Sequence, residues 1–304
     1  MRNKFADTLY EIGKHDDRIC AIVADISPAG SMEKFRNEFP DRFINCGVAE
    51  QAMIGLAAGL ALEGMRPFCY TIATFSIYRP FEMIRVDLCY QCLPVTVIGM
   101  GAGVIYSTLG STHHTIEDIS IASSLPNMQV LAPCDPLEMK EATTWCAKIS
   151  QKPTYMRLGK VGEPNFTDKS VDEFQFGKLR YIKKGKDVAI ITYGTTIKMC
   201  NEIKDALEKK KLSCSLISCH TIKPLDENGI RKMLETHKKV LCIEEHVKHG
   251  GLGEKIKLLA AEQNSKTHID HYHLKDQFIH FYGSYESLLS KHGIDKIDIL
   301  KKYD

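Results

Sequence analysis

Glu50 opens the run Glu50–Leu62, in which every other residue except Gln51 is apolar or glycine. A carboxylate in that position has two chemical readings. It complements the positive end of a helix. Alternatively, it is held among apolar neighbours, where burial raises a carboxyl pKa and suits the group to share a proton with a bound heterocycle. Other residue types with chemical potential lie nearby in sequence. Asp25 follows the β-branched run Ile19–Ala24. Phe75, Tyr78 and Phe81 recur at i, i+3 and i+6, which makes them one face of a helix, either core or a surface for stacking. His113 and His114 sit on a loop of Gly, Ser and Thr, and such a pair is either surface or catalytic. Arg2 and Arg157 carry guanidinium forks that match phosphate and equally match surface carboxylates.

Two further constellations read as structural. Cys89-x-x-Cys92 has no second cysteine pair at zinc spacing. His268-x-x-His271-x-His273 fits residues alternating along an edge strand. The lysine-rich stretch 198–211 reads as a solvated helix face.

The elements that must position these groups follow from hydrophobic periodicity. Phe5, Leu9 and Ile12 form a helical stripe, and strands are expected at Ile19–Ala24, Phe68–Ile72, Pro94–Gly99, Met128–Ala132 and Thr154–Leu158. Helices are expected at Glu50–Leu62, Tyr78–Tyr90 and Leu137–Ala147. The rhythm fades over 159–180 and restarts with strands at Asp187–Thr192, Ser213–Ser218, Val240–Glu244 and His268–His273. Repeated strand–helix alternation predicts α/β architecture, with two doubly wound domains and mostly parallel sheets. The expected boundaries are 1–165 and 180–304, joined by a linker over 166–179. Ligands of such sheets lie beyond the carboxyl ends of the strands, so the turns at Asp25–Gly30, Cys46–Gln51, Thr74–Tyr78 and Met100–His114 mark the first half as the seat of chemistry.

Composition narrows the class without choosing an activity. The chain has 304 residues, 44% of them hydrophobic, and Lys+Arg of 40 against Asp+Glu of 38 leaves a net charge of only +2. That balance argues against a nucleic-acid binder. No apolar stretch approaches the roughly 20 residues of a membrane span, and the first residues lack an apolar signal-peptide core. Eleven cysteines without an export signal predict reduced thiols in a cytoplasmic protein.

The run Gly47-Val48-Ala49-Glu50-Gln51, continued by Gly55, Ala57 and Gly59, resembles the pyrimidine-domain signature of thiamine-diphosphate enzymes of the transketolase type, including 1-deoxyxylulose-5-phosphate synthases. The resemblance continues in order along the chain. It includes Ala24-Asp25-Ile26-Ser27, Phe75–Phe81, Thr112-His113-His114 with Glu117-Asp118, Leu125–Asp135, Thr154-Tyr155-Met156-Arg157, and Glu244-Glu245 with Gly250-Gly251-Leu252-Gly253. It implies that Glu50 hydrogen-bonds N1′ of the cofactor's aminopyrimidine and so promotes loss of the thiazolium C2 proton. It also implies that Phe75, Tyr78, Phe81 and Asp25 border the cofactor, that His113 is a substrate-side donor or proton shuttle, and that Arg157 and Arg2 bind substrate phosphate.

The chain also departs from the family. The Gly-Asp-Gly motif that holds the diphosphate's divalent metal is missing. The resemblance therefore implies the C-terminal subunit of a split, two-chain transketolase-like enzyme transferring a two-carbon ketol unit between sugars or sugar phosphates. An N-terminal transketolase-like partner would supply the site for Mg2+ or Ca2+, in a dimer of heterodimers whose interface centres on the small-residue helix after Glu50. The second domain is expected to serve dimerisation. Gly101, Leu109 and Ala29 stand where transketolases carry a histidine, an aspartate and a serine that read the substrate. A decarboxylating, deoxyxylulose-phosphate-synthase-like ligation and a non-catalytic assembly role are the alternatives.

Overall fold

The computed structural model describes residues 1–25, 31–160 and 162–303. Ile26, Ser27, Ala29 and Gly30, all named above, lie outside the described residues. The strands are β1 Ile19–Val23, β2 Phe43–Asn45, β3 Arg66–Ile72, β4 Thr96–Met100, β5 Gln129–Leu131, β6 Thr154–Leu158, β7 Arg180–Lys183, β8 Val188–Thr192, β9 Cys214–Ser218, β10 Thr221–Lys223, β11 Lys239–Val247 and β12 His268–Leu274. The helices are α1 Arg2–Gly13, α2 Glu33–Glu38, α3 Glu50–Leu62, α4 Ala73–Ile77, α5 Phe81–Met83, α6 Asp118–Ser124, α7 Pro136–Lys148, α8 Ile197–Lys209, α9 Glu227–Thr236, α10 Leu252–Glu262, α11 Tyr285–Lys291 and α12 Lys296–Lys301.

Every residue of β1, β4, β6, β8 and β9 is buried. Such unbroken apolar strands are what a parallel sheet covered on both faces requires. Among the described residues the strands form two sheets, ordered β10-β5-β6-β4-β3-β1-β2 and β12-β11-β8-β9-β7. Pairing is parallel except at one edge of each. There β10 runs antiparallel to β5 and β7 antiparallel to β9. The doubly wound α/β expectation therefore holds for both halves.

The core does not divide where the chain does. One continuous buried cluster joins Ile54, Val97 and Ile119 of the first half to Ile191, Ile217 and Ile256 of the second. The outer face of the first sheet is covered by α1, α2 and α7, through Phe5, Leu9, Phe35 and Met139. That of the second is covered by α8, α11 and α12, through Ile197, Ile203, Leu288 and Ile299. Each such side chain contributes about 1.5–3 kcal/mol relative to exposure. The segment 166–179 is strapped down as well. Phe176 stacks on Trp145 at 3.7 Å, and the Asp135 carboxylate accepts from the backbone N–H groups of Phe166 and Thr167 while capping α7.

The expected helix Tyr78–Tyr90 is broken. Pro80 lacks an N–H and disfavours helical backbone in the residue before it. α4 accordingly stops at Ile77, α5 restarts at Phe81, and Ile84–Tyr90 winds on as a π-helix. Such widened turns are frequent at functional sites.

At the seam between the halves, His220 is buried and stacks on Phe174 at 4.4 Å. Burial, with the Arg180 charge beside it, pushes its imidazole down to about 3. The unfolded chain takes up a proton near pH 6.5 that the folded chain refuses, so this stability is full above that pH and is lost as pH falls towards 3. His220→Phe keeps the stack and removes the titration. Chemical denaturation of both proteins between about pH 7 and about pH 5 should show wild type losing roughly 2 kcal/mol of stability relative to the variant over that range.

Candidate active site

The carboxyl ends of β1, β2, β3, β4 and β6 open on one edge of the first sheet. Asp25 sits at the end of β1 with φ of 43°, exposed, its N–H donating to Asn45 Oδ1 at 3.1 Å. The same oxygen accepts from Gly47 N at 3.0 Å. Asn45 thereby fixes the turn after β2, and Gly47, with φ of 69°, supplies the left-handed residue that lets the chain enter α3 at Glu50.

Glu50 is 4% exposed and does not stand alone among apolar neighbours. Arg79 Nη1 donates to both of its oxygens, at 3.0 and 3.1 Å. The Arg79 guanidinium in turn lies 4.1 Å from the centre of the Phe75 ring. The helix break at Pro80 turns Arg79 to this position. Both sequence readings, a carboxylate at the helix start and a carboxyl held in a buried setting, meet in this one group, with an arginine that neither included. The first-turn position of Glu50 at α3 is real, but the group is an ion-paired carboxylate whose partner is 47% exposed.

His113 stands on a short turn after Gly110, its ring 5.3 Å from Phe75, edge to face, and its Nδ1 3.0 Å from Thr112 Oγ1. Glu50, Arg79, Phe75 and His113 therefore form one chain of contacts. The adjacent His114 belongs to the fold. It is buried, with Nε2 3.2 Å from the Tyr106 carbonyl, and burial lowers its pKa. Of the expected aromatic face, only Phe75 joins this line. Tyr78 donates to Glu117 Oε2 at 2.5 Å, and both Tyr78 and Phe81 pack on the core.

The two arginines part company. Arg157 is buried in β6, and its Nε donates to Asp118 Oδ2 at 2.9 Å. Its Nη2 donates to the Glu245 carbonyl at 2.8 Å, and Asp118 also accepts from Tyr155 Oη. Nε and Nη2 are thus committed inside the protein, which places these two donors on internal partners and not on a substrate phosphate. Arg2 begins α1, half-buried, and its backbone N–H donates to the Lys160 carbonyl at 3.3 Å. Its buried Nε has no hydrogen-bond partner among the described residues. Its charge acts on Tyr70 and Tyr106, and exposed Lys160 lies 5.1 Å above the Tyr106 ring. Arg2 and Lys160 thus flank one aromatic at the sheet edge. Gly101, at φ of 68°, packs so closely on that ring that a Cβ would run into it. No side chain fits there while Tyr106 stays in place.

Sequence reasoning missed Arg79, Lys160, Tyr106 and Asn45. The available signals were the strand-end positions of Asn45 and Lys160 and the Arg-Pro pair at 79–80.

On α3, Val48 and Leu62 before and at the end of the helix are exposed, and none of the described residues lies against Gly55 or Gly59. Among the described residues, one group has ligand atoms close enough to share a cation: Cys242, Glu244 and His271, in the second sheet. Glu244 already accepts from Leu252 N, Gly253 N and Tyr193 Oη, with His271 Nε2 at 2.7 Å. It is a filled structural node.

Residues 1–164 match the transketolase pyrimidine-binding domain, and residues 177–299 match the transketolase C-terminal domain. The chain is 31% identical over 300 residues to a subunit of the apulose-4-phosphate transketolase of Phocaeicola vulgatus, covering 99% of this chain and 95% of that one. It is 32% identical over 299 residues to the 1-deoxy-D-xylulose-5-phosphate synthase of Bacillus licheniformis, covering 98% of this chain and 47% of the synthase. It thus spans about half the length of the synthase. A solved structure described as a split gene transketolase, inactive beta4 tetramer, superposes with a TM-score of 0.86 at 31% identity, covering 99% of this chain and 95% of that one.

The Arg157–Asp118 geometry makes a measurable claim. Arg157→Met leaves Asp118 charged, buried and unpaired, so urea unfolding should show a loss of about 3–5 kcal/mol, with partial recovery when Asp118→Asn is added. An unchanged unfolding curve would restore Arg157 to the ligand-binding role.

Proposed function

The chain belongs to the transketolase family, and on that footing we propose that it is the pyrimidine-binding, C-terminal subunit of a two-chain, thiamine-diphosphate-dependent enzyme that transfers a two-carbon ketol unit between sugars or sugar phosphates. The observation that carries the reading is the line from buried Glu50 through Phe75 to His113 at the carboxyl ends of parallel strands.

The donor set fits the cofactor. A carboxylate at a helix start suits a ring nitrogen, and the half-buried face of Phe75 suits a planar pyrimidine. Bound thiamine diphosphate supplies the electron sink that amino-acid side chains lack. Glu50 exchanges its bond to Arg79 for one to the ring nitrogen and holds the shared proton there. Arg79 is exposed enough to swing aside. Phe75 orients the ring by stacking and keeps water from the carboxylate. His113, with Nδ1 fixed by Thr112, offers Nε2 to a substrate hydroxyl or carbonyl oxygen. Arg2 and Lys160 hold the anionic end of the substrate. Asp25 borders the cofactor from the end of β1.

The filled Cys242–Glu244–His271 node does not suit Mg2+ or Ca2+, which prefer open sets of oxygen ligands. The metal and diphosphate therefore belong to an N-terminal transketolase-like partner subunit. The exposed apolar residues and open glycines of α3 form the interface of a dimer of heterodimers. No helix of the described residues is long and apolar enough to cross a membrane, and eleven free thiols suit a reducing, cytoplasmic setting. The similarity to 1-deoxy-D-xylulose-5-phosphate synthases makes a decarboxylating ligation the competing reaction, and an assembly role without catalysis is the competing reading outside enzymes.

The test mixes the chain with its partner, thiamine diphosphate and Mg2+. The pair should bind the cofactor and transfer ketol units from a ketose phosphate to an aldose, and Glu50→Gln should slow turnover by about 10²–10⁴-fold. Consumption of a 2-oxo acid with release of carbon dioxide would select the competing ligation. Absence of cofactor binding by the pair would sink the enzyme reading.

A further inference from the structure

The loop between β4 and α6 carries His113, and much of what holds it comes from the far end of the chain. Gly103 and Thr115 pair as an antiparallel bridge, with N–H to carbonyl distances of 3.0 and 2.8 Å, and so close a neck on residues 104–114. The end of β11 grips that neck. Glu245 is buried, and its Oε1 accepts from Val104 N at 2.5 Å. Its Oε2 accepts from Thr195 Oγ1 at 3.2 Å and from Tyr285 Oη at 3.0 Å, so the carboxylate is anchored in the second domain while it reaches into the first. Val247 N donates to the Ile116 carbonyl at 3.0 Å, and His246 Nε2 accepts from Ser120 N at 3.3 Å. Gly103 is fitted to this grip. Its φ is 73°, and a Cβ would collide with the Glu245 carboxylate.

The tip of the loop has its own hold. Ser111 Oγ donates to the Ile279 carbonyl, and a Cβ on Gly110 would meet the Tyr282 ring at 3.1 Å. Between these two holds, the imidazole of His113 hydrogen-bonds to its neighbour Thr112, on the same loop. The place of that imidazole against Phe75 is therefore set by where the second domain keeps the loop.

We infer that the second domain positions the substrate loop, with Glu245 as the positioning residue at its neck and the 279–282 segment as the support of its tip. A domain expected to serve dimerisation more than catalysis thus governs how the substrate-facing histidine stands relative to Glu50. The inference rests on the transketolase reading solely for the role of His113; the mechanical claim about the loop stands by itself.

Hydrogen exchange on the chain alone tests the mechanical claim. Glu245→Ala should speed exchange of the Val104 and Thr115 amides by on the order of tenfold, leaving β4 and β8 unchanged. Glu245→Gln keeps an oxygen for Val104 N–H and should restore most of the protection. With the partner subunit and thiamine diphosphate present, Glu245→Ala should raise the KM for the sugar phosphate by on the order of tenfold, at unchanged cofactor affinity, and Gln should rescue it. Should Glu245→Ala fail to fold, Ser111→Ala removes only the tip contact and should loosen amides 109–113 and raise the same KM. Unchanged loop exchange, or a fall in melting temperature without a change in KM, overturns the inference. An inactive wild-type pair counts against the proposed function instead, and the exchange experiment still decides the positioning claim.

Discussion

Arg157 and Asp118 form a charge pair from which water is excluded, and the layout of both halves around the site follows from where that pair sits. Arg157 comes from β6 and Asp118 from the first residue of α6. Tyr155 adds a hydroxyl to the carboxylate, and the Glu245 carbonyl at the end of β11 takes a guanidinium N–H. Burying two charges costs several kcal/mol per ion unless the remaining donors and acceptors are met. The bonds the pair does make draw on both sheets, Tyr155 from the first and the Glu245 carbonyl from the second, while Asp118 Oδ1 has no partner among the described residues, so these bonds hold only in one relative placement of the two halves. That placement brings the end of β11 against the loop that presents His113.

The arrangement puts a different construction on the glutamates of the second half. Glu244 and Glu245 are adjacent on β11, point to opposite faces as strand neighbours must, and are both buried. Glu244 holds the start of α10 and His271, inside its own domain. Glu245 reaches across to Val104. One side chain builds the second domain and the next joins it to the first.

Much of this was legible in the sequence, and the rest was not for identifiable reasons. The long buried strands and the amphipathic helices announce themselves by composition and period. β2, β7 and β10 are three or four residues long and have no period to detect. β10 finds its place by pairing with β5, some ninety residues earlier, which local pattern does not encode. At the site, Glu50 stood out because a carboxylate beginning an apolar run is a local anomaly. Arg79 did not, since an arginine in a polar turn is ordinary until the chain break at Pro80 carries it to a carboxylate 29 residues away. Arg157 is the converse case: its type and strand position invited a ligand, and only the fold discloses that Asp118 lies against it.

β10 has a bearing on how such a protein can be divided between genes. The strand lies beyond residue 180 in sequence yet closes the edge of the first sheet, and one apolar cluster runs unbroken beneath both sheets. A break near residue 170 would expose the edge of β5 to any passing strand and strip half the lining from that cluster. The two domains are therefore tied together twice, by a strand of the second half that completes the first sheet and by a core that both halves line.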